Sequence, residues 1–334
     1  MTLRVGINGL GRIGRCVLRA LYENGENSIE LVAVNGPAAA ETHVHLLKYD
    51  SVHGRFGTPV AVEGEDLLIG GNVVRLFHER DPKNIPWGKL GVDMVIECTG
   101  KFNKRAEASQ HLAGGAKRVL VSAPAEEADS TIVYGVNNLM LKAEHQVVSV
   151  GSCTTNALAP VAKVLHEAVG IESGFMTTIH SYTGDQNIVD SSHKDMRRAR
   201  AAAMSMIPTS TGAAKTIGLI LPELKGKLDG TSIRVPTANV SLVDLKFIAS
   251  RDVTKDEINA AFKAAEAGPL KGVLATSSEP LVSIDYNHTT ASSNVDLTGT
   301  YVTGKRLVRV SSWYDNEWAF SCRMLDVAKL WKTL

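Results

Sequence analysis

The sequence predicts an α/β chain in two domains. The first is an open, doubly wound parallel sheet, and the second is built on a largely antiparallel sheet with helices (α+β). Three observations carry this. The 334 residues exceed what one hydrophobic core usually serves. The N-terminal segment runs strand, glycine turn, helix, strand. After Cys153 the apolar pattern changes to longer alternating stretches.

Residues 3–7 form a short apolar run suited to a buried strand. It breaks at Asn8-Gly9 and passes into a segment with Ile13, Val17, Leu18 and Leu21 at helical spacing, which Asn24-Gly25 ends. A second apolar run, residues 29–34, stops at Asn35-Gly36-Pro37. A strand, helix and strand in so short a span make the sheet parallel. Residues 92–98, 119–121 and 147–149 read as further buried strands with helical segments between them, the last arriving at Gly151-Ser152-Cys153. Beyond it, Leu158, Val161, Val164, Leu165 and Val169 mark a helix. Residues 175–180, 233–235, 240–249 and 308–313 then read as strands. No internal repeat or low-complexity tract appears, and no linker rich in Pro, Gly or Ser separates the halves.

Composition excludes several classes of function. Apolar residues make up 44% and charged residues 21%, the balance of a folded chain. Lys and Arg number 36 against 35 Asp and Glu, so no global field draws the chain to nucleic acid or anionic lipid. Cys16, Cys98, Cys153 and Cys322 lie far apart with no CxxC pair, which argues against a disulfide framework or zinc ribbon. No signal-peptide pattern and no run of eighteen apolar residues is present. The expectation is a soluble, cytoplasmic protein with no nucleic-acid or membrane partner.

Gly9, Gly11 and Gly14 form GxGxxG directly after a strand and at the mouth of a helix. Glycines are needed there because the backbone must turn sharply and approach a pyrophosphate that the helix N-terminus then stabilises. This is the Rossmann arrangement, and it predicts dinucleotide binding. An acid that grips the adenine-side ribose usually ends the second strand; here the position is Gly36.

Cys153 lies in GSCTTN, at a strand end and a helix start, where the helix dipole favours the thiolate. A buried, inert role suits Cys16, Cys98 and Cys322. It suits Cys153 poorly, because Ser152, Thr154, Thr155 and Asn156 surround it with polar groups. His180 ends the apolar strand FMTTIH and opens a polar loop, so a Cys–His pair is the expected nucleophile and base. The other histidines are scattered, and His43 and His45 lack a third ligand, so no metal site is expected.

At these residues the sequence resembles the phosphorylating glyceraldehyde-3-phosphate dehydrogenases, nearly end to end. The motifs that carry the resemblance are INGLGRIGR (7–15), HLLKYDSVHGRF (45–56), SCTTN (152–156), TTIHSYTGDQ (177–186), RRARAAAMSMIPTSTGAAK (197–215), RVPTANVSLVD (234–244) and WYDNEWAF (313–320). The resemblance implies a dinucleotide-binding domain over 1–152, a catalytic domain over 153–316, a C-terminal helix (317–334) returning to the first domain, and a homotetramer. It implies that Cys153 attacks the aldehyde of glyceraldehyde 3-phosphate and His180 handles the protons. Thr183 and Arg234 match the substrate-phosphate site. Ser152, Thr154, Arg198, Thr211 and Gly212 match the site linked to attacking phosphate and substrate. Asn8, Gly9, Gly11, Arg12, Ile13, Gly14, Gly36, Arg80, Ser122, Ser191, Ser192 and Asn316 match cofactor positions. The phosphate-site groups are hydroxyls, a backbone N–H beside Gly212 and guanidinium forks, all suited to phosphate oxygens. The basic run HKDMRRAR (193–200) is absorbed by these pockets rather than by a nucleic-acid patch.

Departures from the family pattern bear on the cofactor. NAD-using members usually carry Asp at the Gly36 position and often Leu-Pro at Ser191-Ser192. An Asp about 4 Å from a ribose 2′-phosphate repels it by about 4 kcal/mol per charge at intermediate dielectric. Its loss also removes charge-assisted hydrogen bonds to the NAD ribose, worth about 1.5–3 kcal/mol. Both effects favour NADP, with Arg80, Ser191 and Ser192 available to its phosphate, so dual use of NAD and NADP with an NADP lean is expected. Val150-Gly151 stands for the usual Asn-Ala, Ala157 for a frequent second cysteine, and NHTTASS (287–293) for NHDPHSS. The nearest rival is erythrose-4-phosphate dehydrogenase, against which the intact TSTGAAK (209–215) argues. A cysteine hydrolase would not need the glycine turn, and a silent nucleotide-binding protein would not need complete nucleophile, base and phosphate sites.

Overall fold

The computed structural model describes residues 2–334 and divides into two compact units. One runs to Ile132, resumes over Asn138–Ser152 and takes up Ser321–Leu334; the other comprises Val133–Asn137 and Cys153–Phe320.

In the first unit a nine-stranded sheet runs in the order Ser130–Thr131, Val147–Ser149, Arg118–Val121, Met94–Glu97, Leu3–Asn8, Ile29–Asn35, Asn72–Phe77, Asp66–Ile69, Val60–Glu63. The pairings from the first of these to Asn72–Phe77 are all parallel, and the last two are antiparallel. Leaving aside the two-residue edge strand, the parallel strands follow the doubly wound order 3-2-1-4-5-6. The central strands are near-continuous apolar runs because parallel strands are covered on both faces; all four residues of Met94–Glu97 are buried. The helix Arg12–Glu23 turns Cys16, Val17, Leu18, Ala20 and Leu21 inward. It stops at Asn24, followed by Gly25 at φ 62°, the left-handed residue that closes a helix C-terminus.

The antiparallel meander over residues 60–77 goes beyond the expected parallel sheet. Its turns carry Gly64 and the pair Gly70-Gly71, all at positive φ, which is what tight hairpins require. The C-terminal segment anchors to this unit through Trp331, whose indole donates to Lys142 O at 3.2 Å and lies under the Arg118 guanidinium. Lys329 pairs with Glu26 at 2.9 Å.

The second unit holds a seven-stranded sheet in the order Ile207–Ser210, Leu228–Val235, Ile171–Ser181, Ser241–Ala249, Leu307–Tyr314, Ser293–Thr303, Leu274–Ser277. Four of its six pairings are antiparallel, as the alternating stretches predict. Val243, Leu245 and Phe247 alternate into a core shared with Val161 and Leu165 of the helix Cys153–Val169, Ile217 of Ala213–Ile220, and Phe262 of Lys255–Ala267. This face fixes the position of the long helix, and with it Cys153 at the helix's first residue. The strand begins at Ser241 rather than Val240, because Val240 sits at φ 67°, outside the extended region.

Candidate active site

The glycine turn of the first unit divides its labour as pyrophosphate binding requires. Gly9 has φ 97°, and a Cβ there would meet the Thr99 amide nitrogen at 2.8 Å. A Cβ on Gly14 would lie 1.9 Å from Gly9 O, so glycine is what lets the helix pack onto the turn. Gly11 faces open space, with nothing within 4 Å of a Cβ, and caps the helix Arg12–Glu23 without a side chain. Gly11 thus puts no side chain of its own over the first turn of the helix, as binding a phosphate at a helix N-terminus requires. The residues present fit a dinucleotide.

Two of the expected cofactor side chains have other occupations. Arg12 forms a two-pronged pair with Asp50, at 2.6 and 3.0 Å, and this pair holds the Asp50 carboxyl well below the usual range against the effect of its burial. Asn8 turns inward, donating to Glu97 Oε2 at 2.6 Å and accepting from Asn35 at 2.7 Å. Glu97 also accepts from the Thr99 amide at 2.7 Å, and His111 Nε2 lies 2.9 Å from its carboxyl. Asn8, Asn35 and Glu97 end three neighbouring strands, so this buried network fastens the carboxyl edge of the sheet where doubly wound folds bind ligands. Ser122 lies beside it, its amide donating to Glu97 O at 3.0 Å.

At Gly36 the space of a side chain is filled by His43, whose Nε2 would lie 2.7 Å from a Cβ there. Burial pushes the His43 imidazole below its ordinary pKa, with the charges of His78 and Arg15 adding to the effect. His78 Nδ1 donates to Gly36 O at 2.9 Å, and Arg80 is exposed nearby in sequence. Two imidazoles, those of His43 and His78, therefore flank Gly36.

In the second unit Cys153 Sγ and His180 Nε2 stand 3.5 Å apart. His180 Nδ1 is 2.7 Å from Ser181 O, which can only accept, so Nδ1 carries the proton and Nε2 turns its lone pair to sulfur. Burial holds the imidazole pKa down to about 3, and the Arg234 and Arg198 charges act in the same direction. Cys153 is half-buried, in contrast to the buried Cys16, Cys98 and Cys322.

The expected lowering of the thiol by the helix start is outweighed. Burial pushes Cys153 above its ordinary value, while Arg234, the Thr154 hydroxyl and the first-turn amides pull the other way. Both groups of the free pair are consequently neutral, and His180 is set to receive a proton rather than already holding one.

Tyr314 was not singled out in the sequence, although it lies within WYDNEWAF. Its hydroxyl bonds Thr154 Oγ1 at 2.9 Å and Thr178 Oγ1 at 2.8 Å, and its ring meets His180 edge-on. Tyr314 thus ties Thr154, beside the nucleophile, to the strand that carries His180.

The expected phosphate donors fall into two sets. Arg234 Nη1 donates to Thr183 Oγ1 and to Ser181 O, both at 3.2 Å, while its Nε has no protein partner. Arg198 donates to Thr209 Oγ1 at 3.0 Å and pairs with Asp185. Thr209 in turn donates to Asp195 at 2.7 Å. Thr211 accepts from Ala213 N, and Gly212 caps the helix Ala213–Ile220 with no side chain over it. Ser191 and Ser192 are exposed in the second unit, and Asn316 is buried there against Ser241. Ser152 closes the first unit, immediately before the nucleophile in sequence. In NHTTASS the retained residues have clear roles: Asn287 Oδ1 accepts from Asn239 and the His288 amide donates to Asp315. The substituted Thr289 closes the turn on Tyr286 O at 2.8 Å.

A dinucleotide-cradling parallel sheet in one unit and a thiol–imidazole pair amid guanidinium groups in the other define an oxidoreductase that works through a covalent thiol adduct. Family comparison gives the particular case. Residues 3–105 match the model for the glyceraldehyde 3-phosphate dehydrogenase NAD binding domain, and residues 152–316 that for the C-terminal domain. The chain is 60% identical over 328 residues to glyceraldehyde-3-phosphate dehydrogenases of Xanthobacter flavus and Cereibacter sphaeroides, covering 98% of each chain. To that of Geobacillus stearothermophilus it is 56% identical over 329 residues, again covering 98% of each chain. The chain belongs to the glyceraldehyde-3-phosphate dehydrogenase family.

Proposed function

We propose that this chain oxidises D-glyceraldehyde 3-phosphate to 1,3-bisphosphoglycerate with NAD(P)⁺ and inorganic phosphate. The observation that carries the mechanism is the Cys153–His180 pair, with the imidazole held neutral and aimed at sulfur. Sγ adds to the aldehyde carbon as the thiol proton passes through His180 Nε2 to the carbonyl oxygen, giving a hemithioacetal. A bound oxidised dinucleotide supplies the hydride acceptor. As hydride leaves, His180 Nε2 takes the hydroxyl proton and a thioester remains. Phosphate attacks the thioester carbon, the C–S bond breaks, and acyl phosphate leaves with the thiol restored. A thioester keeps the oxidation energy available to phosphate, which a hydrolysed carboxylate would lose.

In this reading Thr183 and Arg234 hold the substrate phosphate. Ser152, the Thr154 amide, Arg198, Thr211 and Gly212 hold the attacking one. Asp185 occupies the Arg198 fork that this second phosphate needs. Asp185→Asn is therefore expected to lower KM for phosphate by about two- to fivefold, the range set by a half-exposed ion pair. Steady-state kinetics with varied phosphate checks this; an unchanged KM places Asp185 outside the phosphate path.

In this reading the dinucleotide contacts carried by the first unit are Asn8, Gly9, Gly11, Arg12, Ile13, Gly14, Gly36, Arg80 and Ser122, and those carried by the second are Ser191, Ser192 and Asn316. Dual use with an NADP lean is supported by the missing acid at Gly36 and by the His43 and His78 imidazoles beside it, with Arg80 exposed two residues after His78. A homotetramer is supported by the large apolar side chains exposed on one excursion, Ile188, Val189, Met196, Met204 and Met206. Free cysteines suit the cytoplasm, and no helix of the described residues is long and apolar enough to cross a membrane.

Initial rates of glyceraldehyde 3-phosphate oxidation, with phosphate present, test both activity and cofactor choice. A kcat/KM for NADP⁺ equal to or above that for NAD⁺ is expected. A tenfold NAD⁺ preference, about 1.4 kcal/mol, overturns the NADP lean. Faster oxidation of erythrose 4-phosphate than of the triose overturns the substrate.

A further inference from the structure

The helix Ala40–Lys48 of the first unit turns Ala40, His43, Val44 and Leu47 inward, the spacing of an apolar helix face. Three of these are aliphatic, and one is an imidazole. His43 is only 4% exposed, and neither of its ring nitrogens makes a hydrogen bond of normal geometry within the protein. A buried polar group left unpaired costs stability, so packing alone does not account for an imidazole on this face.

The edge of that ring occupies a particular place. A Cβ at Gly36 would lie 2.7 Å from His43 Nε2 and 2.8 Å from its Cε1, with Leu10 of the glycine turn 3.6 Å away. Position 36 directly follows the strand Ile29–Asn35, where doubly wound dinucleotide folds carry the acid that hydrogen-bonds the ribose 2′-hydroxyl. The backbone there is pinned to the neighbouring strand Asn72–Phe77 and the residue after it. The Gly36 amide donates to Phe77 O at 2.9 Å, and the Gly36 carbonyl accepts from His78 Nδ1 at 2.9 Å. A side chain at 36 therefore cannot withdraw, and the imidazole holds the space that its first carbon needs. The Arg15 guanidinium is near enough for its charge to act on the same ring.

We propose that His43 is a specificity-determining residue of the dinucleotide site: it stands where the ribose-gripping acid would stand and offers a ring N–H to a ribose 2′-phosphate. The assignment rests on the dehydrogenase reading and its NADP lean. A carboxylate accepts from a 2′-hydroxyl and repels a 2′-phosphate. An imidazole donates to the phosphate and carries no negative charge against it. Because the ring fills the acid's place, a change at position 36 alone does not bring the acid back; position 43 has to change with it.

The test is calorimetric titration of the whole chain, without aldehyde, with NAD⁺ and with NADP⁺, which differ only in the 2′-phosphate. His43→Leu gives the helix a wholly aliphatic inner face and removes the donor. It is expected to weaken NADP⁺ binding about tenfold, the worth of one charge-assisted hydrogen bond, and NAD⁺ binding by less. His43→Gln, which keeps an N–H donor at similar reach, should retain the parent's ratio of affinities. Gly36→Asp alone should lower the denaturation midpoint without tightening NAD⁺. Gly36→Asp combined with His43→Ala should regain stability relative to Gly36→Asp and bind NAD⁺ about tenfold more tightly than NADP⁺. If His43→Leu does not fold, His43→Ala alone must show the same fall in NADP⁺ affinity. An unchanged NADP⁺ affinity or equal losses of both dinucleotides in His43→Leu overturn the inference, as does a full switch to NAD⁺ in Gly36→Asp alone. A parent enzyme that prefers NAD⁺ by about tenfold overturns the NADP lean, and the shift between parent and His43→Leu still decides the role of His43. A parent enzyme that binds neither dinucleotide overturns the dehydrogenase reading and this assignment with it.

Discussion

Replacing His180 by asparagine is expected to lower kcat for the oxidation by about 10²–10⁴-fold, the usual contribution of a positioned base. The size follows from what the site provides in its place. The thiol is pushed above its ordinary value by burial, so little thiolate exists at neutral pH without a base to receive the proton. Arg234, whose charge favours the thiolate, can stabilise the anion but cannot accept its proton. Asparagine keeps the volume and polarity of the position and removes the lone pair, so KM for the dinucleotide should stay constant while kcat falls. A loss smaller than about tenfold would assign proton transfer to another group.

The same substitution has a signature in stability. The folded pKa of His180 is held down to about 3, against about 6.5 for a free imidazole. Between these values the unfolded chain binds a proton that the folded chain refuses. The stability associated with His180 is therefore complete above pH about 6.5 and declines as pH falls toward 3. His180→Asn abolishes that slope, so its denaturation midpoint should depend less on pH over this window than that of the parent enzyme.

What could be read from the sequence, and what could not, follows from the range of the interactions involved. The glycine turn was legible because each of its constraints is backbone geometry within a few residues. Cys153 and His180 were legible one at a time, each at the end of a periodic apolar segment. Their pairing was expected from those two positions, and the sheet that brings strand end and helix start together supplies the 3.5 Å separation that no local pattern gives. Tyr314 was hidden because its meaning lies in Thr154, 160 residues away. Asn8 belongs to the recognised turn, yet its side chain serves Glu97 and Asn35, and no local pattern shows which way an asparagine points. The meander had a signal, the paired glycines 70 and 71 between apolar runs, and the expected parallel sheet overshadowed it. The effect of helix position on the thiol was read with the correct sign but without the burial that outweighs it, since burial is a property of the assembled fold.

Two glycines of the one motif should fail in opposite ways when changed to alanine. At Gly14 the new methyl would sit 1.9 Å from Gly9 O, an atom of a backbone turn that is itself held at φ 97° and fixed by a hydrogen bond from the Gly9 amide to Asn35 O at 2.9 Å. Neither side can yield without moving the helix Arg12–Glu23 off the sheet and uncovering Val17, Leu18 and Leu21. Gly14→Ala is thus expected to cost about 3 kcal/mol or more of stability, the upper range for overpacking. Dinucleotide binding would be lost as a consequence. At Gly11 the methyl meets nothing within 4 Å, so Gly11→Ala should fold with a denaturation midpoint close to that of the parent enzyme. Its methyl instead projects into the space that a pyrophosphate must approach, in front of amides that have no side-chain cap. Dinucleotide affinity should therefore fall by about tenfold or more, roughly the worth of one charge-assisted hydrogen bond to a phosphate oxygen. Thermal denaturation and dinucleotide titration on the two variants separate the effects. A stable Gly14→Ala would contradict the close helix–turn packing, and full affinity in Gly11→Ala would move the pyrophosphate away from this turn.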